Sequence, residues 1–270
     1  VQGDEMIRKL ELSREMHEVL ITHCQQCGIQ FFSTGFDLES VDLLVELGQT
    51  RFKVPSGEIN NLPLLRHIGS LGREVILSTG MVNLTEVATA LQVLESSGTP
   101  RELTTVLHCT TDYPASMGDV NLRAMTTIAR ELDVSVGYSD HTLGTEVSVA
   151  AVAMGATVIE KHFTLDRSYS GPDHSASLEP SELALMVSQI RNIEVALGNG
   201  VKEPTVSEQE NIPIVRKSIV ARRTVTAGEL LDDSTLTVKR PGTGLSPMLW
   251  DEVYGTRAKR NFLEDEQIEL

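Results

Sequence analysis

Two histidines, His141 and His162, close successive short apolar runs of this sequence, and each has a carboxylate at hand, Asp140 and Glu160. A single buried histidine is ordinarily a satisfied core residue, but two at successive strand ends, each flanked by an acid, read as a site. Lys53 stands between Phe52 and Val54 in another such run. An inward ammonium on an apolar strand is expensive unless an anion shares its burial, so Lys53 points to an anionic ligand. Other strand ends are polar as well: Ser33 and Thr34, Ser56 and Glu58, Ser78 and Thr79, Thr110 and Thr111, Ser139 and His141.

Side chains gathered from many strand ends must be positioned by a repeated frame, and the sequence supplies one. Strands are expected at Ile29 to Thr34, Arg51 to Pro55, Glu74 to Ser78, Thr105 to Thr110, Ser135 to Ser139 and Thr157 to His162. Between them, apolar spacing near 3.6 marks helices at Leu38 to Leu47, Leu84 to Ser96, Val120 to Leu132, Thr145 to Met154 and Pro180 to Ala196. Alternating βα units imply a parallel α/β sheet, doubly wound or closed into a barrel. Neither G-x-G-x-x-G nor G-x-x-x-x-G-K-[ST] follows any strand, so the dinucleotide and P-loop readings lack support. Polar strand ends are what the C-terminal face of a TIM (β/α)8 barrel presents, which makes that the expected fold. Six units are counted where closure needs eight, and the chain enters a helical stretch, Glu5 to Cys24, with no strand before it; about two N-terminal βα units are expected to be absent.

The beat stops near Gly198. Three regions are expected: a barrel domain over 1–198, a polar linker over 199–213 containing Pro204, and a small, mostly β domain over 214–270 with strand signals at Ser218 to Ala221 and Leu236 to Val238.

With 40% hydrophobic and only 4% aromatic residues, the composition is that of an Ala/Val/Leu-rich globular enzyme rather than a disordered chain. A net charge of −15 argues against nucleic-acid or anionic-membrane partners and requires that any anionic substrate find a concentrated basic pocket. Three cysteines, Cys24, Cys27 and Cys109, make no disulfide framework, and no apolar run approaches a membrane span, so a cytoplasmic protein is expected. The Cys24/Cys27 spacing lacks the second ligand pair of a zinc site and is read as structural.

Six ordered motifs carry a resemblance across nearly the whole chain. They are Phe52-Lys53-Val54-Pro55-Ser56-Gly57-Glu58-Ile59-Asn60-Asn61, Leu77-Ser78-Thr79-Gly80-Met81, His108-Cys109-Thr110-Thr111-Asp112-Tyr113-Pro114, Gly137-Tyr138-Ser139-Asp140-His141-Thr142, Glu160-Lys161-His162-Phe163-Thr164 and Arg240-Pro241-Gly242-Thr243-Gly244. In these the sequence resembles the sialic acid synthase family, the N-acetylneuraminate synthases and their legionaminate and pseudaminate relatives. The resemblance implies a TIM barrel joined to an antifreeze-like (SAF) domain, working as a domain-swapped homodimer. It implies condensation of phosphoenolpyruvate with an N-acetylmannosamine-like sugar to a nine-carbon 2-keto acid and phosphate, with Mn²⁺ or Mg²⁺ as cofactor.

The resemblance also implies roles. His141 and His162 match the metal ligands, and Glu160 an orienting or acid/base group beside them. Lys53, with Ser56, Ser78, Thr111 and Ser139, would hold the phosphate and carboxylate; Glu58 matches an acid near the sugar; Tyr113 and Phe36 would line the sugar pocket. Arg240 matches an arginine that reaches from the small domain of one subunit to the sugar in the other. Asp173 and His174 match a family segment with no direct role expected. The family's N-terminal Asn-His-rich motif is not found here. Two other classes stay open: a barrel aldolase using Lys53 as a Schiff base, and an ice- or sugar-binding module, which the charges of Glu229, Asp232, Asp233, Lys239 and Arg240 fit poorly.

Overall fold

The computed structural model describes residues 11–270. The chain divides at Gly198 into a larger unit and a smaller one, Asn199–Leu270. In the larger unit, α1 (Arg14–Cys27) and α2 (Leu38–Glu46) precede five βα steps: β1 (Arg51–Val54), α3 (Leu62–Ser70), β2 (Glu74–Ser78), α4 (Leu84–Ser97), β3 (Thr104–Cys109), α5 (Leu122–Leu132), β4 (Ser135–Asp140), α6 (Glu146–Ala153), β5 (Ile159–Lys161) and α7 (Pro180–Leu197). Of the expected helix at Glu5 to Cys24, the part before residue 11 lies outside the described residues. The strands pair in parallel in sequence order, β1-β2-β3-β4-β5, so α3 to α6 are crossovers and the sheet curls as part of a barrel.

Helix starts follow local chemistry. Asn83 caps α4 by accepting from the backbone N–H of Thr85 and Glu86, while the Glu86 carboxylate accepts from the N–H of Asn83. Asp37 and Asn61 cap α2 and α3 through Ser40 N–H and Leu64 N–H.

Alternation along the strands creates two faces. Phe52, Val54, Val75, Leu77, Val106, Val136 and Tyr138 face the helices and form the main core with Leu64, Ile68, Leu91 and Met125. On the opposite face the register aligns Lys53 with Ile76, Ser78 with Leu107, Leu107 with Gly137, Cys109 with Ser139, and Ser139 with Glu160.

One expected strand is not formed. Ile29 to Thr34 is outside any ladder among the described residues, and the sheet begins at Arg51, giving five strands where six are expected. The Gln49 amide takes the place of a neighbouring strand: its Oε1 accepts from Ser33 N–H at 2.8 Å and its Nε2 donates to Ser33 C=O at 2.9 Å.

The smaller unit is built on the antiparallel pair β6 (Ser218–Ala221) and β7 (Leu236–Lys239). Isolated bridges such as Val225↔Phe262 and Leu230↔Arg257 close it around Ile219, Val225, Leu231, Leu236, Val253 and Phe262. Within the expected linker lies a helical turn, Val206–Gln209, with a second at Ile212–Val215. Among the described residues no helix is long and apolar enough to cross a membrane.

Candidate active site

The C-terminal strand ends of the larger unit enclose a cavity of ≈ 500 Å³. Its walls include Lys53, Ser56, Ser78, Thr111, Tyr113, Ser139, His141, Glu160 and His162. β1 delivers Lys53, whose side chain is 14% exposed and whose Nζ lies 3.2 Å from Glu160 Oε2 on β5. The other Glu160 oxygen accepts from Ser139 Oγ at 2.8 Å, so both carboxylate oxygens have partners. Ser56 Oγ accepts from Gly80 N–H at 2.9 Å and lies 3.3 Å from Cys109 Sγ. Gly80 is required there: a Cβ on it would come within 2.5 Å of Thr111 Cγ2 and 3.1 Å of Ser56 Oγ.

Ser78 Oγ is buried without a hydrogen-bond partner. A buried hydroxyl left unsatisfied costs free energy and calls for an explanation. Here it borders a cavity that already holds an ammonium and further hydroxyls, the donor set suited to an anionic ligand.

The imidazole of His141 has a defined tautomer. Its Nδ1 lies 2.6 Å from the Thr110 carbonyl, which can only accept, so Nδ1 carries the proton and Nε2 the lone pair. Nε2 is 3.3 Å from Ser139 Oγ, but that hydroxyl has one proton and its shorter, charge-assisted contact is to Glu160. Burial holds the His141 pKa below its ordinary value, outweighing the Thr110 carbonyl and keeping the ring neutral near pH 7. The His162 ring lies 5.3 Å from it, centroid to centroid, with Nδ1 4.0 Å from Asp173 Oδ2. Tyr113 packs on both rings, at 4.2 Å and 5.4 Å, and its phenol pKa is raised by burial and by the nearby Cys109, Asp173 and Glu160.

These features fit a divalent metal held by the two imidazoles, provided that substrate and water complete its shell. Among the described residues no group of three or more His, Cys, Asp and Glu could hold one alone.

Residues 2–202 match the NeuB family and residues 216–269 match the SAF domain. The chain belongs to the NeuB family. It is 54% identical over 264 residues to the N,N'-diacetyllegionaminic acid synthase of Campylobacter jejuni, covering 98% of this chain and 79% of that protein. The enzyme of the same name from Legionella pneumophila is 46% identical over 259 residues, covering 95% and 73%. The solved structure of N-acetylneuraminic acid (sialic acid) synthetase from Leptospira borgpetersenii, in complex with citrate, superposes with a TM-score of 0.70 at 38% identity, covering 75% of this chain and 70% of that one.

Within the larger unit, two of the expected site residues, Phe36 and Glu58, are not among the residues that line the cavity. Phe36 is 61% exposed just before α2. Glu58 accepts from Asn61 Nδ2 at 2.7 Å. Arg240 belongs to the smaller unit, where its Nε donates to the Val215 carbonyl at 2.8 Å. Thr34, noted as a polar strand end, lines the cavity, and sequence reasoning missed Met81, Cys109 and Lys161 as lining residues. Cys109 could have been found by counting alternate residues along β3, since it is the register partner of Ser139.

Proposed function

We propose that this chain condenses phosphoenolpyruvate with the open-chain aldehyde of an N-acetylated amino sugar, giving a nine-carbon 2-keto acid and phosphate. The observation that carries the reading is the meeting, in one cavity, of the Lys53 ammonium and the unpartnered Ser78 hydroxyl with the Nε2 lone pair of His141. In the reaction, C3 of phosphoenolpyruvate bonds to the aldehyde carbon, water enters at C2 and phosphate leaves. Lys53, Ser56 and Ser78 hold the phosphate and carboxylate on the β1 and β2 side. Glu160, held by Lys53 and Ser139 in the same cavity, serves as the acid/base group. His141 and His162 would hold a divalent metal, Mn²⁺ or Mg²⁺, whose chemistry is to polarise the aldehyde oxygen as charge builds on it. The reading extends to a homodimer in which Arg240 of one copy meets the sugar bound by the other.

The printed names of the two relatives at 54% and 46% identity support a diacetamido-trideoxy sugar as acceptor, in place of N-acetylmannosamine. The test is phosphate release with phosphoenolpyruvate and each sugar, with and without Mn²⁺. We expect release that depends on metal and on the diacetamido sugar, and that falls at least ~1,000-fold in the His141→Ala/His162→Ala protein. Trapping of Lys53 by borohydride with pyruvate, in place of sugar-dependent release, would establish the aldolase reading instead.

A further inference from the structure

Ser139-Asp140-His141 and Glu160-Lys161-His162 share one pattern. In each, the outer members line the cavity; Asp140 does not, and Lys161 borders it while its ammonium is turned to Asp140, as the alternation along β4 and β5 favours. The middle members meet. Lys161 Nζ lies 2.9 Å from Asp140 Oδ2 and donates to the Thr142 carbonyl at 2.6 Å. Asp140 Oδ1 accepts from Thr142 N–H at 2.9 Å and Thr142 Oγ1 at 2.7 Å, and Oδ2 accepts from Ser148 Oγ on α6 at 2.6 Å. The side chains of Lys161 and Asp140 are 3% and 0% exposed.

A buried ion pair gives little net stability over an apolar pair of the same size, so stability alone is a weak account of it. Its place is more informative. Asp140 and Lys161 form the last register pair of β4 and β5, and the next residue along each strand is a site histidine. Each member is bonded covalently to two groups of the cavity wall, and the two members are bonded to each other through the far side of the sheet.

We propose that Asp140 and Lys161, supported by Thr142 and Ser148, are positioning residues that fix the separation of His141 and His162. Both charged groups are taken up by each other and by Thr142 and Ser148, and the pair acts by fixing two strand ends at the level where the ladder stops. This rests on the reading of the two imidazoles as one site.

The test uses the whole chain. In ¹⁵N-labelled protein without metal, long-range ¹H–¹⁵N spectra report the tautomer and surroundings of each imidazole. Lys161→Met, and in smaller measure Ser148→Ala, are expected to shift the His141 and His162 signals and leave that of His67, paired with Asp42 on the outside of α3, unmoved. In Mn²⁺ titrations followed by electron paramagnetic resonance, Lys161→Met is expected to weaken binding about 10- to 100-fold. It should lower kcat while KM for phosphoenolpyruvate stays within about twofold, because Lys53 and Ser78 hang from other strands. Both histidine signals unmoved in a folded Lys161→Met protein would overturn the clamp, and if that variant does not fold, the same signals in Ser148→Ala decide. A wild-type chain that binds no Mn²⁺ would sink the metal reading, yet the imidazole signals would still judge the clamp.

Discussion

Burial without charge is the common condition of the two histidines nearest the centre of the sheet. His141 faces the cavity; His108, on the other face of β3, donates through Nε2 to the Val120 carbonyl at 2.9 Å and meets the Tyr138 ring edge-on. Burial holds both pKa values below the ordinary 6.5, against the pull of their carbonyl partners. The unfolded chain therefore binds protons first as pH falls through about 6.5, and stability drops from there until the folded-state values are reached. We expect the melting temperature of the larger unit to fall between pH 7 and pH 5, and the slope to flatten in a His108→Gln protein. A pH-independent melting temperature over that window in the unmodified chain would contradict the assignment.

The strands set the spacing that those side chains need. β4 approaches β5 so closely at Gly137 that a Cβ there would lie 2.3 Å from the Val158 carbonyl oxygen and 2.6 Å from Leu107 Cδ2. Gly137→Ala is accordingly expected to cost about 1–3 kcal/mol in thermal or urea unfolding, with a loss of activity because the strands carrying Ser139 and Glu160 must part. At this scale the sequence was readable where pattern and tertiary role agreed: Glu74–Ser78 and Ser218–Ala221 form the strands that their composition predicts. Ile29 to Thr34 has the composition of a strand, but pairing is a property of neighbours, and Gln49 supplies the hydrogen bonds. The site was legible through residue types at strand ends. What types could not show was direction: Asp140 and Glu160 look alike as acids beside histidines, yet Asp140 pairs behind the sheet with Lys161 while Glu160 pairs in the cavity with Lys53.

At the scale of the molecule, the smaller unit has a core of its own, which implies a stability of its own. Phe262, 1% exposed, sits in the core of the smaller unit and contributes nothing to the core that carries the cavity. Phe262→Ala is expected to cost about 3–5 kcal/mol, and calorimetry should show one transition lowered while the transition of the larger unit keeps its temperature. The alternation along β4 and β5 also sets what a change of length would do. Because chemistry and support fall on consecutive residues, a single insertion within either strand would swap them, turning the Lys161 ammonium toward the cavity and the His162 ring toward the helices. The strands that carry the site are therefore fixed in reading phase as strictly as codons are.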